Sequence, residues 1–142
     1  MHNYGCSMTS TERANIDTVH RYLAALAGQV TGDELGGFFH DRVEQIEFPN
    51  RLTPEGAKRD KAALLAGAES GKRVTTNQRY EVLTILAAGD LVAVEADWSC
   101  TLRVPLGKLA SGDTMRARLG MFIELSEGQI RSLRNYDCFE PF

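Results

Sequence analysis

Hydrophobic and polar residues alternate most regularly in the second half of the chain. At residues 92 to 100 every even position is apolar, and the odd positions from Glu95 onward are polar. At residues 114–125 the odd positions are the apolar ones. A period of two is typical of antiparallel strands with one buried face. We therefore predict strands at 91–104 and 114–125, with further strands at 80–87 and near the C-terminus.

The first half of the chain has helical spacing instead. Apolar residues recur every three or four positions between residues 16 and 30, after the N-cap signal Thr9-Ser10-Thr11-Glu12. A short second helix is predicted to end near Phe38-Phe39, a strand covers 43–48, and Asp60 caps a third helix over 61–69. Helices followed by strands, without βαβ alternation, predict an α+β fold whose helices cover one face of a strongly curved, mostly antiparallel sheet.

Length, charge and cysteine spacing limit the partners. A chain of 142 residues is predicted to form one domain at 10–142, preceded by a flexible tail at 1–9. The net charge is −3 and no basic cluster or long apolar run is present, which disfavours nucleic acid and membranes as partners. The cysteines Cys6, Cys100 and Cys138 fit no zinc pattern, so we expect reduced thiols in a cytoplasmic protein, with Cys100 and Cys138 buried in strands. No metal-ligand spacing is found.

Several short motifs occur in a recognisable order. They are Arg21-Tyr22-Leu23-Ala24-Ala25-Leu26, Ile46-Glu47-Phe48-Pro49, Thr53-Pro54-Glu55-Gly56, Lys58-Arg59-Asp60, Gly89-Asp90-Leu91-Val92-Ala93-Val94 and Glu127-Gly128-Gln129-Ile130. Over about residues 11–140 their order resembles the SnoaL-like polyketide cyclases of the nuclear transport factor two and ketosteroid isomerase superfamily. The resemblance implies a cone-shaped α+β barrel with an apolar pocket, usually dimeric and without metal or cofactor. It implies functions from cyclisation, isomerisation, dehydration and epoxide hydrolysis to no catalysis.

The resemblance also implies candidate catalytic residues. Ketosteroid isomerases carry their base just before the proline of the first strand, where this chain has Phe48. Their oxyanion-hole tyrosine matches Tyr22, which could equally be a core residue of the first helix. SnoaL-like cyclases carry an aspartate on the last strand at the position of Asn135. Asp137 lies two residues further, on the same strand face, and could serve the same pocket.

The turn before the last strand decides the direction of Asp137. If Glu127-Gly128 is a two-residue turn, Arg118 lies opposite Asp137 and Glu124 opposite Arg131 on the outer face. If the loop has three residues, Ala117 lies opposite Asp137 and Leu119 opposite Asn135 on the apolar face. A slip of one residue exchanges the two faces. The pattern of the last strand leaves both registers open, and the resemblance favours the inner face.

The remaining candidates are wall and surface residues. We expect the pocket to be lined by apolar side chains from three predicted strands, with His40 at its mouth or as a helix cap. The wall residues are Phe48, Val94, Trp98, Leu119 and Met121. Glu95, Asp97, Arg116 and Arg118 are expected on the outer sheet face, exposed to solvent or forming a homodimer contact.

Two functions follow from these observations. The first is a cofactor-free acid/base enzyme, a cyclase, isomerase or dehydratase, acting on a hydrophobic ketonic small molecule. In it Asp137 transfers protons while Asn135 and Tyr22 polarise a carbonyl. The second is a non-catalytic small-molecule binding or scaffold protein of the same fold.

Overall fold

Three helices cover one side of the molecule. The computed structural model describes residues 7–142, with helices α1 (Ser10–Ala27), α2 (Gly32–Gly36) and α3 (Lys61–Val74). A capping box starts α1: the Glu12 amide donates to Thr9 Oγ1 (3.1 Å), and the Thr9 amide donates to Glu12 Oε1 (2.8 Å). Thr9 is therefore part of the helix cap and not of a free tail. Residues 1–6 of the predicted tail, including Cys6, lie outside the described residues.

Six strands form one mixed sheet. They are β1 (Phe39–Glu47), β2 (Ala57–Arg59), β3 (Thr75–Ala88), β4 (Leu91–Leu102), β5 (Thr114–Ser126) and β6 (Gln129–Phe139). Their order is β2-β1-β6-β5-β4-β3, with β1 and β6 parallel and all other neighbours antiparallel. The predicted α+β fold with N-terminal helices and a curved sheet is confirmed. The sheet is not closed, because β2 and β3 remain its two edges.

The element boundaries differ from the sequence prediction in three places. The second helix ends at Gly36, and Phe39 already begins β1. The segment after Pro49 returns as the short strand β2, which the turn residues alone do not indicate. Helix α3 continues through Gly71, where an added Cβ would meet only open space, and ends at Val74 after two basic residues in its last turn.

The inner face of the sheet and α1 form the main core. The predicted alternation is observed: residues such as Val92, Ala96 and Ile123 are buried, whereas Glu95 and Glu124 are exposed. Cys100 is buried as expected. Cys138 is exposed, contrary to the prediction, because its position on β6 pairs with the outward-facing Arg118.

The β5–β6 hairpin combines features of both predicted registers. Glu127 and Gly128 have φ of 52° and 79° and form a two-residue turn, with Ser126 opposite Gln129. Arg131 is then an extra residue, because Leu125 pairs with Ile130 and Glu124 with Ser132. This β-bulge shifts all later pairs by one position. Asp137 consequently lies opposite Leu119, on the inner face.

The position of the bulge predicts how single-residue deletions in β6 change the free energy of unfolding. Deleting Arg131 removes the extra residue and leaves the face of every later residue unchanged, so we expect the free energy of unfolding to fall by no more than about 1–2 kcal/mol. Deleting Arg134 must turn either Leu133 or the end of the strand outward, so we expect a loss of about 3 kcal/mol or more. Denaturant unfolding measures both. Equal losses in the two deletion variants would contradict the assigned position of the bulge.

Candidate functional site

A cavity of about 350 Å³ lies between the helices and the inner face of the sheet. Its apolar wall includes Leu26 of α1 and Leu64 of α3. The polar side chains that reach it come mainly from β1, β2, β3 and β6, and are Gln45, Arg59, Gln78, Asn135 and Asp137. A mostly apolar cavity of this size with a few convergent polar groups is typical of small-molecule sites.

A second, larger depression of about 990 Å³ shares Gln78, Tyr80, Trp98 and Phe139 with this cavity and extends over six charged residues. Its charges are balanced, and Arg118 Nε donates to Asp97 Oδ1 at 2.6 Å. Exposed pairs of this kind are common surface features. We therefore take the smaller cavity as the candidate site.

Asp137 is the most unusual group in the cavity. Its Oδ1 atom is buried and has no hydrogen-bond partner among the described residues. The pKa of Asp137 is raised from 3.8 to about 6: burial is the largest cause, the negative charge of Glu47 adds to it, and Arg59 opposes both. A carboxyl group with such a pKa can accept and donate protons near neutral pH.

Glu47 and Arg59 form an ion pair beside Asp137. Arg59 Nη1 donates to Glu47 Oε1 at 2.8 Å, and Asn50 Nδ2 donates to Glu47 Oε2 at 2.8 Å. Burial alone would raise the pKa of Glu47, but the Thr53 hydroxyl, the Asn50 amide and the Arg59 guanidinium together lower it. Glu47 is therefore held ionised while Asp137 is shifted toward its neutral form.

Asn135 lies two residues before Asp137 and also faces inward. Its Oδ1 accepts a hydrogen bond from Gln45 Nε2 (3.1 Å), and Gln45 Oε1 accepts one from Arg59 Nη1 (3.0 Å). β1 runs parallel to β6 and antiparallel to β2, which places Gln45 between the two partners. Asn135 is thus anchored by its oxygen.

Two tyrosines complete the cavity wall. Tyr22 of α1 packs its ring against Phe38 and Phe39, with centroids 5.8 and 5.6 Å apart. Burial raises the pKa of Tyr22. It also raises the pKa of Tyr80, to which Tyr22 and Asp137 add smaller increases. Both phenols therefore stay protonated and can donate hydrogen bonds.

Six of the predicted site residues line the cavity, and three do not. Those in the lining are Tyr22, Trp98, Leu119, Met121, Asn135 and Asp137. Phe48 follows the inward Glu47, so its ring faces outward and stacks on Tyr136 at 4.4 Å. Val94 is buried in the core but is not part of the cavity lining. His40 is also outside it, and its Nδ1 accepts from the Arg42 amide at 3.0 Å.

The sequence prediction missed four polar or phenolic residues of the cavity. They are Gln45, Arg59, Gln78 and Tyr80. Tyr80 could have been found, because it shares the alternation of its strand with the inward Val82. Gln45 and Arg59 acquire their roles only through the pairing of β1 with β2 and β6. Trp98 Nε1 donates to Gln78 Oε1 at 3.1 Å, a contact that depends on the irregular pairing near the start of β3.

Within residues 7–142, no group of three or more His, Cys, Asp or Glu side chains could hold a metal ion. No helix in the described part of the chain is both long and apolar enough to cross a membrane.

The raised pKa of Asp137 predicts a pH-dependent gain in stability for Asp137→Asn. The folded protein binds this proton more tightly than the unfolded chain, so the charge lowers native stability as pH rises from about 4 to about 6. The shift sets an upper limit of about 3 kcal/mol, and solvent screening reduces it to about 1–2 kcal/mol. We expect the variant to gain that amount over the native protein at neutral pH and not at about pH 4. Denaturant unfolding at both values measures it, and a pH-independent difference would contradict the desolvated carboxylate.

Comparison with known proteins agrees with this architecture. No curated protein sequence gives a significant match. An Agrobacterium tumefaciens SnoaL-like polyketide cyclase is 20% identical, with a TM-score of 0.65 over 87% of this chain and 90% of that one. A Mycobacterium tuberculosis LEH-like epoxide hydrolase is 15% identical (TM-score 0.68, covering 91% and 84%). A hypothetical protein with a ketosteroid isomerase-like fold from Catenulispora acidiphila, solved in complex with trimethylamine, is 16% identical (TM-score 0.67, covering 84% of each chain). The sequence profile of the SnoaL-like domain matches residues 19–133, and the chain therefore belongs to the SnoaL-like domain family.

Proposed function

We propose that the protein is an acid/base enzyme for a hydrophobic ketonic small molecule, with Asp137 as the group that transfers protons. The observation that supports it is the buried, unpartnered Oδ1 of Asp137 in a mostly apolar cavity. A structural carboxylate is normally satisfied by hydrogen bonds or by an ion pair. An unsatisfied one, with a pKa near 6, is suited to meet a proton of a bound ligand.

The proposed step is the removal of a proton next to a carbonyl. The proton moves from carbon to a carboxylate oxygen of Asp137, and the electron pair of the broken C–H bond moves onto the carbonyl oxygen as an enolate. The N–H of Asn135 and the neutral hydroxyls of Tyr22 and Tyr80 are the available donors for that oxygen. Return of the proton to another carbon gives isomerisation. Attack of the enolate carbon on a second carbonyl of the same molecule, whose oxygen takes the proton back from Asp137, gives cyclisation. Loss of a β-hydroxyl as water, with the proton supplied by Asp137, gives dehydration.

A non-catalytic binding protein of the same fold is the second candidate. The observation that favours it is the small number of ionisable groups free to act: Glu47 is engaged by Arg59, which leaves Asp137 as the available carboxylate of the cavity. Proteins of similar structure include a polyketide cyclase, an epoxide hydrolase and a complex with trimethylamine. Their variety is compatible with either candidate.

Hydrogen–deuterium exchange of a ketone tests the enzyme proposal without knowledge of the natural substrate. We expect the protein to speed exchange of the α-protons of 2-tetralone in D2O, followed by proton NMR, with a rate that falls below about pH 6 as Asp137 becomes protonated. Asp137→Asn should lower the protein-dependent rate by about 100-fold or more, because the general base is lost.

The matched control is Asp97→Asn. It removes a carboxylate from the outer sheet face, where Asp97 pairs with Arg118, and should leave exchange unchanged. Binding of 2-tetralone without catalysed exchange would contradict the enzyme proposal and favour the binding protein. Equal loss of exchange in both variants would also count against Asp137.

We further propose a homodimer formed by the outer sheet face. Phe122 and Tyr136 are 39% and 43% exposed there, although large aromatic side chains are usually covered. Tyr136 lies between Phe48 and Phe122, and Arg134 lies over the Phe122 ring at 5.8 Å. Two-fold dimers are the commonest assembly of small domains.

A cytoplasmic location stays a prediction from the expected reduced thiols.

The dimer proposal predicts association that depends on this face. We expect light scattering to give twice the chain mass at tens of micromolar protein, and Phe122→Asp to lower it to that of one chain, because a charge would be buried in the contact. Arg13→Glu, a charge change on the exposed side of α1, is the control and should not alter the mass. A monomer of the unaltered protein at that concentration would refute the dimer.

A further inference from the structure

Two of the three amide side chains of the cavity, Gln45 and Gln78, are each held by a group that can only donate hydrogen bonds. The Arg59 guanidinium carries no acceptor, so its contact at 3.0 Å identifies the facing atom of Gln45 as Oε1. Gln45 must then direct its Nε2 donor at Asn135, and Asn135 must accept this hydrogen bond with Oδ1, at 3.1 Å. The orientation of each amide therefore follows from its neighbour.

The consequence for the cavity is a free donor. With Oδ1 of Asn135 turned to Gln45, its Nδ2 is the polar atom left, and it forms no hydrogen bond within residues 7–142. The indole Nε1 of Trp98 is also a pure donor and fixes Oε1 of Gln78 in the same way. Gln78 on β3 thus leaves its own Nε2 unengaged among the described residues.

From this arrangement we infer that Arg59 and Gln45 are positioning residues that make the cavity selective for ligands with a carbonyl acceptor, through the fixed orientation of the Asn135 amide. A carbonyl oxygen can accept from Nδ2, whereas an N–H group in the same place meets a donor and loses its own partner. A buried donor without an acceptor is costly, which gives the site its discrimination. This inference rests on the proposed function, because it names the functional group that the same cavity recognises.

The hydrogen bonds from Arg59 to Gln45 and from Gln45 to Asn135 form a relay, and one measurement tests it directly in the unaltered protein. A scalar coupling through the hydrogen bond, from the Gln45 side-chain nitrogen to the Asn135 side-chain carbonyl carbon, is expected in NMR spectra of the isotope-labelled chain. A coupling in the reverse direction, from the Asn135 nitrogen to the Gln45 carbonyl, would overturn the inference. Absence of coupling in both directions would overturn it as well.

Gln45→Glu tests the consequence for ligands. A carboxylate at position 45 offers only acceptors, so Asn135 should rotate, donate to it and turn Oδ1 toward the cavity. The probes are 1-indanone, which carries only an acceptor, and indole, which carries only an N–H donor on a bicyclic frame of similar size. The comparison is made in an Asp137→Ala background, which removes the unpartnered carboxylate that could accept from indole. There the chain should bind 1-indanone at least roughly tenfold more tightly than indole, and Gln45→Glu should lower this preference by roughly tenfold.

Two further variants separate the relay from general effects of charge or misfolding. Gln129→Glu places the same charge at the start of β6, about 20 Å along the strand from Asn135, and should keep the native preference. Arg59→Met combined with Glu47→Gln frees Gln45 without leaving an unpaired negative charge, and should also lower the preference. An unchanged preference in a folded Gln45→Glu variant or in this folded double variant would refute the relay. Because none of these readouts needs turnover, failure of the ketone exchange assay and failure of the relay are distinguishable.

Discussion

The extra residue at Arg131 determines which side chains of β6 face the cavity. The two-residue turn alone would align Asp137 with Arg118 on the outer face, where a carboxylate and a guanidinium form an ordinary surface pair. The bulge moves the pairing by one position and puts Asp137 opposite Leu119. Arg118 is left to pair with Asp97, and Cys138 becomes exposed. Because side chains alternate along a strand, a register shift of one residue decides whether Asp137 forms a surface ion pair or lies desolvated in the cavity.

The charges around the cavity then shift the pKa values of two neighbouring carboxyl groups, Glu47 and Asp137, in opposite directions. Arg59 binds Glu47 at 2.8 Å, and the Asn50 amide satisfies the other oxygen, so Glu47 keeps its charge despite being largely buried. Asp137 has no such partner and meets both the low dielectric and the charge of Glu47. Environments that push the pKa values of two acids apart are a recurrent arrangement in acid/base sites. Here Glu47 and Arg59 serve as fixed electrostatics, and Asp137 is the group left free to titrate near neutral pH.

Local patterns predicted much of this structure, and long-range pairing explains what they missed. Alternation was sufficient to find β4 and β5 and to put Trp98, Leu119 and Met121 on the inner face. The resemblance to ketosteroid isomerases pointed to Tyr22 as a pocket residue, and Tyr22 lines the cavity, whereas helical spacing alone indicated only a core position. The bulge was not predictable, since both faces of β6 carry mixed residues and either register satisfied the pattern. Gln45 and Arg59 looked like ordinary polar residues of a strand and a loop, because their partners lie 90 and 14 residues away. Phe48 appeared apolar enough for the pocket, yet the alternation that turns Glu47 inward turns Phe48 outward.

The two sides of the cavity differ in chemistry, and this difference constrains how a ligand can lie. Gln45, Arg59, Asn135 and Asp137 come from three adjacent strands, β2, β1 and β6, so they form one polar wall. Leu26, Leu64 and Ala68 of the helices form the opposite, apolar wall. A ligand satisfies both when its polar groups lie along one edge and its carbon frame faces the helices, because any other orientation buries unpaired polar atoms. The same orientation brings a carbonyl on that edge to the wall that holds the Asn135 donor and the Asp137 carboxyl. Recognition and proton transfer would therefore use one binding pose, and the order of strands in the sheet is what makes that possible.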